Sequence, residues 1–182
     1  MRRPWLFWVP VTAFLALITV STAGGQTMKL SSEAFKDGEK IPSQYVMPGA
    51  GGQNVSVPLT WMNPPAGTQS FALSMVDPHP VARNWVHWLV IDLPGNASSL
   101  AEGASGKKMP MGAVELQNSF GDVGYGGPQP PKGTGDHPYV CTVYALSVPK
   151  LDLGKNTNLG AFQAAVKGKV LGQASLTGYY GR

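Results

Sequence analysis

The chain has 182 residues, a formal net charge of +4, 43% hydrophobic residues and a single cysteine, Cys141. That is enough for one domain with a core of its own, and the lysines are scattered apart from the Lys107–Lys108 pair, which excludes a nucleic-acid-binding stripe. One cysteine excludes an internal disulfide, so packing alone must hold the fold.

The first 23 residues differ in kind from the others. Arg2 and Arg3 precede an apolar stretch from Trp5 to Val20, followed by Ser21, Thr22 and Ala23. Charge, apolar run and small residues in that order predict a secretory signal peptide over residues 1–23, cleaved after Ala23. An uncleaved membrane anchor is the less favoured alternative, since the run only approaches the roughly 18 residues of a spanning helix. The mature domain then covers residues 24–182 and lies in the periplasm or outside the cell.

Met28 to Ser43 reads as an opening strand and turn, with Asp37-Gly38 as the turn signal. Pro48 to Gly52 reads as a flexible loop. Val55, Val57, Leu59 and Trp61 alternate with polar residues or proline, the pattern of a half-buried strand. Asn63 to Thr68 is a Pro/Gly turn. The centre of the chain is Phe71 to Leu93: two apolar runs rich in β-branched and aromatic residues, separated by Asp77 to Asn84 with its prolines. Both faces of each run are apolar, which places these strands centrally, covered on two sides.

Pro94 to Gly112 is rich in Gly, Ala, Ser and Lys and reads as a surface excursion too weakly apolar for core. Asn118 to Gly135 carries six glycines and three prolines, a density that excludes regular structure, and a loop of that length is expected to bind something. Tyr139 to Val148 is a further strand, in which Cys141 is expected as a buried, inert thiol. Leu159, Phe162, Ala165 and Val166 recur at helical spacing, so the helix is expected over Asn158 to Lys169. Asn156, Thr157 or Asn158 would cap it, and Gly172 would end it. Ala174 to Tyr180 is the last strand, and the fold class is mainly β.

The three histidines, His79, His87 and His137, all lie in or beside these central stretches. Asp77 closes the first central run and His87 lies near the start of the second, so antiparallel pairing brings them to one end of the sheet. His137 and Tyr139 are two apart, hence on the same face of a strand and about 7 Å apart. With a glycine-rich loop able to turn amide N–H groups toward one point, this chemistry suits a small anion such as phosphate.

The segment DPHP followed by WVHWLV, and later YGGPQPPKGTGDHPYVCTVYAL, resembles the phosphatidylethanolamine-binding protein (PEBP) family, also called Raf kinase inhibitor-like, in its bacterial branch. The similarity runs from about Met28 to the C-terminus. It implies a PEBP-like antiparallel β-sandwich with a short C-terminal helix and a small pocket for phosphate or a phosphorylated head group. By motif position the pocket residues would be Asp77, Pro80, His87, Gly127, His137 and Tyr139, with His79, Trp85 and Gln129 at the rim. The family's aspartate-proline-aspartate-alanine-proline signature is shortened here, with His79 in place of its second acid. Pro138 stands where an arginine is usual.

The expected function is therefore a non-catalytic binding protein of the cell envelope. It would hold phosphate or a phospholipid head group without a cofactor, and the family name adds inhibition of an unidentified protein partner. A homodimer is left open. The competing reading is a metal-dependent hydrolase with Asp77, His79, His87 and His137 as ligands. It is weakened by Pro78 and Pro80 on either side of His79 and by the absence of a spacing motif such as HExxH.

Overall fold

The computed structural model describes residues 27–182, so the expected signal peptide lies outside the described residues. Among the described residues eight strands form two antiparallel sheets, and one α-helix packs on the larger. The smaller contains β1 (Lys29–Ser31), β2 (Leu59–Met62) and β5 (Ser99–Leu100), in the order β1-β2-β5. The larger has the order β6-β4-β3-β7-β8, built from β3 (Ser70–Asp77), β4 (Trp85–Pro94), β6 (Val114–Glu115), β7 (His137–Leu146) and β8 (Val170–Tyr180). This is the expected mainly β sandwich.

The two central apolar runs are β3 and β4, and both faces of the larger sheet are indeed covered. Phe71, Leu73, Met75, Trp88, Val90 and Val143 pack against Leu59, Trp61 and Leu100 of the smaller sheet. On the opposite face Ala72, Leu89, Ile91 and Leu146 pack against Phe162 and Val166 of helix α1 (Leu159–Val166). Each large side chain removed from water on either face contributes about 1.5–3 kcal/mol, so the sheet is stabilised from two sides. Cys141 is fully buried in the inter-sheet core, where burial pushes its thiol pKa up to about 12. It is inert, as expected.

The short elements depart from the sequence reading. The strand expected from Val55 begins only at Leu59, because Pro58 has no N–H to give a ladder. Pro48–Ala50 is a turn of 3-10 helix. Pro94 to Gly112 is not wholly a surface excursion: β5 pairs with β2, and Leu100 and Ala104 are buried. Helix α1 is capped by Asn158, whose Oδ1 accepts from Ala161 N at 2.9 Å. It ends at Val166 rather than running to Lys169. Gly168, at φ +76°, makes the exit turn, while Gly172 lies inside β8. A left-handed residue is the usual helix stop and glycine adopts it without strain.

Candidate functional site

Asp77 is the last residue of β3, and it pairs across to Trp85 at the start of β4. His87 is two residues into β4, so the acid and the imidazole do lie at one end of the sheet. The register adds a feature. Met75 pairs with Trp88 while Val76 pairs with Val86, which makes His87 the extra residue of a β-bulge. Bulges re-aim a side chain, and the His87 ring lies in the wall of a cavity of about 380 Å³. His137 and Tyr139 reach the same cavity from β7, on the other side of β3. The remaining lining comes from Val81, Ala82 and Trp85 on one side and Phe120, Gln129, Pro130 and Pro131 on the other.

His137 is completely buried and Asp77 nearly so. Asp77 Oδ2 lies 2.6 Å from His137 Nδ1, and Asp77 Oδ1 accepts from the His79 amide at 2.9 Å. The other ring nitrogen, His137 Nε2, is 2.9 Å from Thr134 Oγ1, whose own hydrogen is donated to the Pro131 carbonyl at 2.8 Å. Both ring nitrogens of His137 are thus engaged inside the protein, Nδ1 with the Asp77 carboxylate and Nε2 with the Thr134 hydroxyl. Asp77, His137 and Thr134 have the connectivity of an acid–base–hydroxyl triad, but the hydroxyl proton points to Pro131, opposite to the polarity that activates a nucleophile.

His87 is a neutral imidazole. Its Nδ1–H donates to the Gly126 carbonyl at 2.6 Å. Burial lowers its pKa to about 4, against smaller opposing effects of the Gly126 carbonyl and the Asp77 carboxylate. At neutral pH the ring is neutral, so Nε2 is its unprotonated nitrogen and carries a lone pair, on a residue that lines the cavity. Tyr139 presents the complementary group. Its hydroxyl is buried without any hydrogen-bond partner, and burial together with the Asp77 carboxylate holds its pKa well above the usual phenol value. An unpartnered buried hydroxyl costs about 1–3 kcal/mol. Around these two groups the aromatic rings pack edge to face: His87 on Tyr139 at 4.9 Å and Trp85 on Phe120 at 5.3 Å.

Of the residues expected at the site, Asp77, His87, His137, Tyr139, Trp85 and Gln129 line the cavity. His79 does not. Its ring stacks on His137 at 3.7 Å, and its Nδ1 accepts from the Val81 amide at 3.3 Å. Pro80 lines an adjoining open groove with Val81, Ala82, Arg83 and Trp85. Gly127 lies behind the wall, where its N–H donates to Asn54 Oδ1 at 2.7 Å. A β-carbon at Gly127 would come within 2.1 Å of the Tyr45 carbonyl oxygen, so this position requires glycine for close approach rather than for contact with a ligand. Sequence reasoning missed Val81, Ala82, Phe120, Pro130, Pro131 and the Thr134 partner of His137. Phe120, an aromatic residue in a loop otherwise made of Gly, Pro and polar residues, was the available signal.

The nitrogens needed by the metal reading do not converge. His87 Nδ1 is bonded to a carbonyl, both nitrogens of His137 are engaged, and His79 Nδ1 accepts from its own loop. Among the described residues no group of three or more His, Cys, Asp or Glu side chains is placed to hold a metal ion.

A two-sheet sandwich with one short helix, opening at one end of the larger sheet into a cavity lined by histidine, tyrosine and aspartate, defines a ligand-binding β-sandwich. The profile of the phosphatidylethanolamine-binding protein family matches residues 31–181, and the chain belongs to that family. An uncharacterised-family protein (UPF0098) of Aquifex aeolicus is 38% identical over 88% of this chain and 92% of its own length. YbcL of Escherichia coli is 35% identical over 93% of this chain and 96% of its own. The crystal structure of YbcL, described as a new member of the mammalian PEBP family, superimposes with a TM-score of 0.81. It covers 86% of this chain and 99% of YbcL at 33% identity.

Proposed function

We propose that the protein is a non-catalytic anion-binding protein of the cell envelope, whose cavity takes phosphate or the phosphorylated head group of a larger molecule. The observation that carries this reading is the presence, on two residues that line one cavity, of a buried Tyr139 hydroxyl with no hydrogen-bond partner and a neutral His87 ring whose Nε2 is left as an acceptor. A singly protonated phosphate satisfies both, accepting from Tyr139 and donating its P–OH to His87. A cavity of about 380 Å³ lies within the range of small-molecule sites, roughly 300–1,000 Å³, so it has room for more than the phosphate itself.

The envelope role rests on the leader of residues 1–23, which would place the mature chain from Gly24 onward outside the cytoplasm. The family resemblance supports a further role, control of a protein partner by the loaded or empty cavity. Calorimetric titration of the mature protein with inorganic phosphate, phosphoethanolamine and sulfate tests the reading. Saturable one-to-one binding of both phosphates is expected. No heat with any of the three, at millimolar ligand, would refute it.

A further inference from the structure

We propose that Arg182 is a positioning residue for the anion site, fastening the proline-rich wall of the cavity and supplying positive charge beside it. This rests on the reading of the cavity as an anion site. The wall is Pro128-Gln129-Pro130-Pro131, and three prolines in four positions remove the N–H groups by which a loop normally ties itself down. With Gln129 as its one residue with an N–H, such a segment is held chiefly through its carbonyls, and each needs a donor from elsewhere.

The donors are identifiable. Met47 N donates to the Pro128 carbonyl at 3.1 Å, and Thr134 Oγ1 to that of Pro131 at 2.8 Å. The Pro130 carbonyl, in the middle of the wall, receives Arg182 Nε at 2.5 Å. The same guanidinium reaches the Gly49 carbonyl with Nη1 at 2.7 Å, and the Arg182 carbonyl accepts from Gly133 N at 2.9 Å. Arg182 thus joins the Pro48–Ala50 turn, the cavity wall and the loop that carries Thr134 onto His137. Gly181 sits so close to this loop that a β-carbon there would lie 2.7 Å from the Gly135 carbonyl oxygen.

Charge is the second part. A guanidinium bonded to two neutral carbonyls keeps its full charge, and its field is felt at the cavity, where it favours the anionic form of Tyr139 against the effect of burial. The same field favours an anion placed beside that hydroxyl. A fork of donors and a charge are separable properties, since lysine keeps the second without the first.

The test compares wild-type mature protein with Arg182→Gln and Arg182→Lys, using inorganic phosphate as the probe and amide hydrogen exchange without ligand as an independent readout. In Arg182→Gln the amides of Met47 and Gly133, which donate to the Pro128 and Arg182 carbonyls, are expected to exchange faster and phosphate affinity to fall about tenfold. In Arg182→Lys exchange is expected to be equally fast while affinity falls less, because the charge remains. Unchanged exchange in both variants overturns the positioning role, and unchanged phosphate affinity in Arg182→Gln overturns its role at the site. If the wild type binds no phosphate while exchange still accelerates in both variants, the anion reading fails and the fastening of the wall stands.

Discussion

The Asp77 carboxylate and the His137 imidazole are 2.6 Å apart with both side chains removed from solvent. A buried pair of this kind is expensive to break, because removing one partner strands the other charge in a low-dielectric interior. Either Asp77→Ala or His137→Ala should therefore destabilise the fold by about 3–5 kcal/mol in urea unfolding. The double variant should cost well under the sum, with a coupling of more than about 1 kcal/mol. Additive costs would mean that the two groups do not share a proton and a charge as described.

His87 gives the fold an acid sensitivity of defined sign. Its folded pKa is depressed to about 4 by burial, while the unfolded chain titrates at about 6.5. Below pH 6.5 the unfolded state binds a proton that the folded state refuses, so stability falls with decreasing pH and levels off near pH 4. The loss amounts to about 3 kcal/mol. Denaturant midpoints measured from pH 7.5 to pH 4 should show it, and His87→Asn should flatten the profile by that amount.

Tyr139 separates folding from binding. Because its hydroxyl is buried and unpartnered, Tyr139→Phe should leave stability unchanged or raise it by up to about 1–2 kcal/mol. Phosphate affinity should fall about tenfold, since a donor to the anion is lost. A variant that is destabilised and binds normally would assign the hydroxyl to the scaffold.

The proton held between ligand and His87 sets the pH dependence of binding. A phosphate monoester such as phosphoethanolamine brings that proton itself below its second ionisation, about pH 6, so its affinity should be level in acid and fall about tenfold per pH unit above it. Sulfate carries no such proton and needs His87 to take one. Its affinity should fall from about pH 4 upward, following the histidine. Calorimetry with both anions from pH 5 to pH 8 tests this, and parallel profiles would remove His87 from the contact.

Much of this was legible in the chain itself, for physical reasons that differ by element. β3 and β4 were readable because two-sided burial demands continuous apolar runs, and the meeting of Asp77 with His87 follows from antiparallel pairing alone. The spacing of His137 and Tyr139 gave their common face in the same way. Where the fold depends on partners distant in sequence, the signal was absent. β5 is two residues long and exists because β2 offers it a ladder. The bulge that turns His87 inward is a property of the pairing with β3, and the tie from Asn54 to Gly127 spans 73 residues. His79 was read as a rim or metal-binding group, yet its packing on His137 could be known only once the Asp77–Asn84 connection had a shape.

The central claim is that His87 Nε2 is an unprotonated acceptor that receives a proton from the bound anion. Imidazole nitrogen resonances of the protein, recorded near pH 6 with and without saturating phosphate, test it most directly. The account predicts that His87 Nε2 resonates as an unprotonated nitrogen in the free protein and moves toward the protonated position on binding. Saturation with phosphate while the His87 Nε2 resonance stays in place would contradict it.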